Sequence, residues 1–215
     1  LIGWAAQPPP TGIWLDADGL YYTSGAVSAR NTILNTYGWT IAGDNLNPDA
    51  DLQLTLVTPA PASRFDLQIR GAVTGNVVID WGDSSSTTVS SSGAVQHVYA
   101  TAGTYQITVS GTFTIFGSCN PSNGMEFITA VNAWGNNGTE DFSCAFRGAT
   151  SLTDVPAALP VSTPVVQVMG MFEGATSFND DISNWNTSSI LTMEGMFDGA
   201  SLFNQDIGGW DTSIV

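Results

Sequence analysis

The sequence predicts a mainly β chain, a β-sandwich followed by a repeat solenoid with a small β-α unit in front. Three observations carry that expectation. Short alternating apolar runs separated by Gly and Ser turns fill the stretch from Phe65 to Phe116, which is the spacing of a sandwich. Beyond it a motif recurs every 25 or 26 residues, the mark of units that bury their apolar faces only by stacking on one another. The surface is polar without being charged: 11% of the 215 residues are charged, against about 25% in an ordinary soluble domain, so Ser, Thr, Asn and Gly must solvate it.

Residues 1–12 read as an arm and a linker. Gln7-Pro8-Pro9-Pro10-Thr11-Gly12 is a stiff polyproline run that sets the apolar Leu1, Ile2 and Trp4 apart as a segment able to dock into an assembly. Leu1 to Ala6 has neither the basic start nor the apolar length of a signal peptide. The missing initiator Met marks the chain as processed or as part of something longer. Residues 13–48 form the β-α unit. Ile13-Trp14-Leu15 is a strand closed by Asp16-Ala17-Asp18-Gly19. Ser24 to Tyr37 has its apolar residues Val27, Ile33, Leu34 and Tyr37 near one helical face, with Ser24 as cap and Gly38 after its end. Trp39-Thr40-Ile41 returns as a strand, and the unit is too small to stand alone.

Residues 49–118 are all-β. Leu52 to Val57 alternates with period two, and Phe65–Ile69, Val77–Trp81, Val95–Tyr99, Tyr105–Val109 and Phe113–Ile115 follow as short strands. Asp80-Trp81-Gly82-Asp83, then His97-Val98-Tyr99, then Gly103-Thr104-Tyr105 with its alternating strand resemble the PKD family of surface and secreted proteins. The resemblance implies an immunoglobulin-like sandwich. Ser84 stands where that family usually has Gly, so the hairpin after Asp83 is expected to differ.

Residues 119–215 hold the repeat. Met171-Phe172-Glu173-Gly174-Ala175 through Trp185-Asn186-Thr187-Ser188 recurs as Met196-Phe197-Asp198-Gly199-Ala200 through Trp210-Asp211-Thr212-Ser213, a shift of 25. Ala145-Phe146-Arg147-Gly148-Ala149 matches with a shift of 26, and Val131, Trp134 and Gly135 supply a further half unit. The signature resembles the BspA-like leucine-rich repeats of bacterial surface proteins, mycoplasma lipoproteins and phage structural proteins. That implies a leucine-rich-repeat-type solenoid, of which Ser24 to Ile41 resembles a degenerate or capping unit. Val215 falls in mid-coil, so either the solenoid continues or another chain caps its edge. Phe172, Phe178, Ile182 and Trp185, with their copies Phe197, Phe203, Ile207 and Trp210, are expected to form internal ladders.

The composition excludes several functions. Four Arg, no Lys and a net charge of −15 leave nothing to neutralise phosphates, so neither nucleic acid nor an anionic membrane surface is expected as partner. The apolar runs are too short for a transmembrane helix, so no membrane insertion is expected. His97 is the single base available to a nucleophile, and its place in an alternating strand reads as structural. Two Cys and one His fall short of the roughly four ligands of a zinc site. No catalytic, cofactor or metal residue is therefore assigned and no enzyme is expected. Ca2+ retains a weak case at Asp16-Ala17-Asp18-Gly19 and Asn47-Pro48-Asp49-Ala50-Asp51, which begin like oxygen-ligand loops but lack the later Glu; turn formation explains them equally. Two further readings stay open on the repeat. Trp185 and Trp210 either belong to the internal ladder or face outward as a sugar-stacking platform. Asp181 and Asp206 either contact a ligand or serve turns.

Cys119 and Cys144 lie 25 residues apart. Equivalent points on adjacent coils would bring their Cα atoms to about 5 Å, within disulfide reach; two buried thiols are the rival. Together these features predict a non-enzymatic extracellular structural or adhesive protein. It would be displayed on a virion, as a tail, fibre or capsid-surface component, or on a bacterial surface, acting through repetitive polar solenoid faces. Its partners would be other protein subunits of such an assembly, and a cell-surface glycan or protein. The alternative is an accessory carbohydrate-binding or spacer module of a secreted polysaccharide-degrading enzyme.

Overall fold

The computed structural model describes residues 51–120, 122–160 and 163–215, and the backbone pairing of four short segments before them. Those segments are β1 (Trp14–Asp16), β2 (Tyr21–Tyr22), β3 (Thr40–Ala42) and β4 (Asn45–Leu46). β1 pairs with β3 and β2 with β4, both parallel. The arm with Leu1, Ile2 and Trp4, and the expected helix from Ser24 to Tyr37, lie outside the described residues.

The chain is mainly β. An open antiparallel sheet runs in the order β10 (Ile128–Trp134), β5 (Leu52–Thr58), β9 (Gly103–Phe116), β6 (Ser63–Asp80), β7 (Ser86–Val89), with β8 (Gly93–Tyr99) also on β6. Period-two alternation puts Leu52, Leu54 and Leu56 of β5 inside, as it does Phe65, Leu67 and Ile69 of β6 and Ile107 and Val109 of β9. Two long strands replace four expected short ones. β6 pairs with β8 over Ser63–Ile69 and with β9 from Ile69 onward, while β9 pairs with β5 over Gly103–Val109. The stretches around Gly71 and Gly111, which look like turns in the sequence, are places of close approach. A Cβ at Gly71 would lie 2.3 Å from Thr114 Oγ1, and one at Gly111 2.7 Å from the Asn76 carbonyl oxygen. Register shifts between Arg70 and Val73 and between Thr74 and Val78 absorb the extra residues as bulges.

β10 also departs from the sequence reading. Val131 and Trp134 look like a half unit of the repeat, yet their segment is a sheet strand antiparallel to β5. Its other edge pairs in parallel with the repeat at Ala130 and Asp154, so the sheet passes directly into the stacked copies. Those copies lie on one another through single parallel bridges, from Ile115 to Asp141, Asp141 to Gln167 and Gln167 to Thr192. Sheet and repeats share one apolar core from Leu52 to Met196. Within it Phe146, Phe172 and Phe197 stack with ring centres 6.0 and 5.8 Å apart, and Phe178 on Phe203 at 5.7 Å. Among the described residues no helix is long and apolar enough to cross a membrane.

Candidate functional site

His97 sits on β8 with its ring stacked on Trp81, 4.6 Å between centres, and edge-on to Tyr99. Its Nε2 lies 2.8 Å from Asp83 Oδ2, and the Ser85 hydroxyl donates to Asp83 Oδ1 at 2.6 Å. The hydroxyl therefore meets the carboxylate rather than the imidazole, which is not the order that activates a nucleophile. Partial burial pushes the Asp83 carboxyl up, but the hydrogen bonds from Ser85 and His97 outweigh it and hold the group below its ordinary range. The buried Tyr99 hydroxyl donates to the Trp81 carbonyl at 3.1 Å, and burial raises its phenol well above the usual value. These residues lock the β6–β7 turn onto β8.

Asp66 is a buried carboxylate on β6. Arg64 grips it through two bonds of 2.8 Å, and Asn123 Nδ2 donates at 2.6 Å. The Arg64 bonds, opposed by burial and helped by Asn123, hold it below the ordinary carboxylate range. Among the described residues no group of three His, Cys, Asp or Glu side chains could hold a metal. Apart from Asp51 and the backbone of Asp16, the two weak calcium segments lie outside those residues.

The repeat residues fall into inner and outer rows. Trp185 is 3% exposed; it lies between Trp134, at 5.8 Å, and a parallel Trp210, at 6.3 Å, and donates Nε1 to the Pro156 carbonyl. It offers no face to a sugar ring, which corrects the outward-platform reading for that residue. Trp210 repeats the same bond, to the Ile182 carbonyl, and is partly buried. Asp181 and Asp206 are exposed and close turns: Asp181 Oδ1 accepts from the Ser183 N–H at 3.0 Å and Asp206 Oδ1 from the Gly208 N–H at 2.9 Å. Hydrogen bonds from Ser183 hold the Asp181 carboxyl below its ordinary range. The same turn recurs at Asp141, Asn186 and Asp211, so the aspartates serve the backbone. Outward rows run Thr150–Thr176–Ser201, Asn179–Asn204 and Asp181–Asp206, and the Asn204 N–H donates to Asn179 Oδ1 at 2.8 Å.

Cys119 and Cys144 are joined, with Cα atoms 5.0 Å apart. Cys144 has φ +57°, and the copies of that position are Gly170 at +58° and Gly195 at +61°. The first copy thus carries a cysteine where the repeat uses glycine for a left-handed residue. The bridge ties the loop at residues 117–120 to the first copy, where Arg147 Nη1 also donates to the Cys119 carbonyl at 2.7 Å and Arg147 Nη2 meets Glu173 at 2.7 Å. Beneath the loop lies a cavity of about 300 Å3 walled by Phe65, Leu67, Phe116 and Met125. The sequence reading missed a feature at the opposite end. Met193, Met196, Phe197, Ile207 and Trp210 line an open concavity of about 440 Å3; its sequence signal is the copy that begins at Met196.

Residues 114–215, just under half of the chain, match the family described as "Mycoplasma protein of unknown function, DUF285". No curated protein and no solved structure matches the chain.

Proposed function

We propose that this is a non-enzymatic structural or adhesive protein of a virion or bacterial surface, in which a leucine-rich-repeat-type solenoid of BspA-like character presents repetitive polar rows and an immunoglobulin-like, PKD-like sandwich acts as a stiff spacer. The observation that supports it best is the division of the repeat into an aromatic interior and outer rows of Thr, Ser, Asn and Asp repeating one per copy. Such a surface binds by area, with many weak polar contacts instead of a pocket. The extracellular placement draws on the Cys119–Cys144 bridge, since disulfides persist in oxidising surroundings. The match to the DUF285 family over residues 114–215 fits a BspA-like surface repeat.

The test is binding of the immobilised full chain to bacterial cells and to a glycan array, with outer-row variants. Under this reading Thr176→Ala, Asn179→Ala and Asp181→Ala each weaken binding a few-fold and their combination removes it. A single substitution that abolishes binding, or turnover of a polysaccharide by the chain itself, overturns the reading. Selective binding of one soluble oligosaccharide decides for the accessory module of a polysaccharide-degrading enzyme.

A further inference from the structure

An asparagine followed by glycine is the setting in which a side-chain amide is most easily lost, because a residue without Cβ leaves its backbone nitrogen open to the amide carbon before it. The chain holds two such pairs, Asn123-Gly124 and Asn137-Gly138, and the fold treats them oppositely. Asn137 is 4% exposed. Its Oδ1 accepts from the Thr139 N–H at 3.0 Å and from the Thr139 hydroxyl at 2.6 Å, and its Nδ2 donates to the Trp134 carbonyl at 3.3 Å. Turning that amide toward the Gly138 nitrogen would break all three bonds in a buried place. Asn123 is exposed, and among the described residues its side chain makes one bond, from Nδ2 to Asp66 Oδ2 at 2.6 Å.

The glycine beside Asn123 is imposed by the fold. Gly124 has φ +81°, and a Cβ there would lie 2.6 Å from the Arg64 carbonyl oxygen. Its own carbonyl accepts from the Phe127 N–H at 3.0 Å, which opens the short 3-10 turn Met125–Phe127. The turn thus demands the very residue that makes its neighbour labile. We propose that Asn123 is a site of spontaneous modification, converted to aspartate and isoaspartate, and that the conversion releases this turn from β6.

The step needs water alone. The Gly124 nitrogen gives its proton to solvent and bonds to Asn123 Cγ; the Cγ–Nδ2 bond breaks, and Nδ2 takes a proton from solvent and leaves as ammonia. Water then opens the cyclic imide. Cleavage between the nitrogen and Cγ gives aspartate, and cleavage between the nitrogen and the main-chain carbonyl carbon gives isoaspartate. Either product replaces an amide donor by a carboxylate. In aspartate that carboxylate faces Asp66, which is 5% exposed and already engages Arg64 through both oxygens, so a hydrogen bond gives way to repulsion between like charges. In isoaspartate the main chain runs through Cβ and Cγ, so the carbonyl that accepts the Asp66 N–H at 2.9 Å is itself displaced from the chain.

The experiment is incubation of the full chain at mildly alkaline pH, folded and in guanidinium, with both Asn-Gly peptides followed by mass spectrometry that separates amide, aspartate and isoaspartate. In the folded chain Asn123 is expected to convert faster than Asn137 by about ten-fold or more, and in guanidinium the two rates converge. Similar rates in the folded chain, or an Asn123 that converts in guanidinium only, overturn the site. Hydrogen exchange reads the consequence. Asn123→Asp is expected to speed exchange of the Asp66 N–H several-fold at neutral pH, while the Phe113 N–H, which donates to the Asn137 carbonyl, keeps its wild-type rate. An Asp66 N–H that exchanges as in wild type overturns the release from β6.

Discussion

Replacing the Cys119–Cys144 bridge by two different pairs of residues separates its two contributions. A disulfide closing a loop of 25 residues removes denatured-state entropy worth about 3.5 kcal/mol in the chain-entropy account. Both C119A/C144G and C119A/C144A lose that term. They differ at the backbone, because Cys144 holds φ +57° where the repeat elsewhere has Gly170 and Gly195. An alanine there carries the left-handed penalty of about 1–2 kcal/mol, while glycine adopts the conformation freely but loses more freedom on folding, about 0.5–1 kcal/mol. The glycine pair should therefore be the more stable by about 1 kcal/mol, against the general rule that alanine stabilises relative to glycine. Urea unfolding followed by the fluorescence of the buried Trp134 and Trp185 measures it, since these rings report the core shared by sheet and repeats. Equal midpoints, or a more stable alanine pair, would show that Cys144 is not left-handed and that the first copy does not share the backbone of the others. Wild type unaffected by reductant, with two titratable thiols, would refute the bridge itself.

Two further outcomes follow from the buried groups. Trp185→Ala removes a ring packed between Trp134 and Trp210 and should cost about 3–5 kcal/mol in urea unfolding, while Trp210→Ala, at the half-open end, costs clearly less; equal losses would contradict the inner-row placement of Trp185. Asp66 is held below its ordinary pKa by Arg64, so its stabilising contribution is present above the ordinary carboxylate range and is lost as pH falls through the lowered value. Asp66→Asn should thus lower the urea midpoint at pH 7 and narrow the further drop on acidification to pH 3, and an unchanged acid slope would remove Asp66 from the acid response.

The sequence made the period-two strands and the 25-residue period legible for the same physical reason: one face buried and one wet writes an alternation into the chain. Phe172, Phe178 and Trp185 were readable as ladder residues because their copies Phe197, Phe203 and Trp210 recur at one distance. Less legible was what glycine does around Gly71 and Gly111. A turn and a bulge make the same local demand, and only the partner strand, at Thr114 and Asn76, distinguishes them. β10 was hidden because Val131 and Trp134 satisfy two patterns at once, an edge strand on β5 and the beginning of a stack. The bridge of Cys119 to Cys144 could be anticipated from one period of spacing, but not the reason Cys144 stands where it does, which needs the backbone angle.

The poverty in basic residues has a structural origin in the turns of the stack. The copies close their turns with Asp or Asn accepting the N–H two residues on, as at Asp141, Asp181, Asn186, Asp206 and Asp211. Lys and Arg cannot accept such bonds, so these turns select side chains with an acceptor oxygen, as Ser118 also supplies to the Asn120 N–H, and the aspartates among them contribute to the net charge of −15. The dispersed negative charge opposes side-by-side contact between chains and weakens in that role as salt screens it. Lateral clustering of the chain should accordingly appear only once the charge is screened, and light scattering across a salt series that rises already at low salt would refute that account.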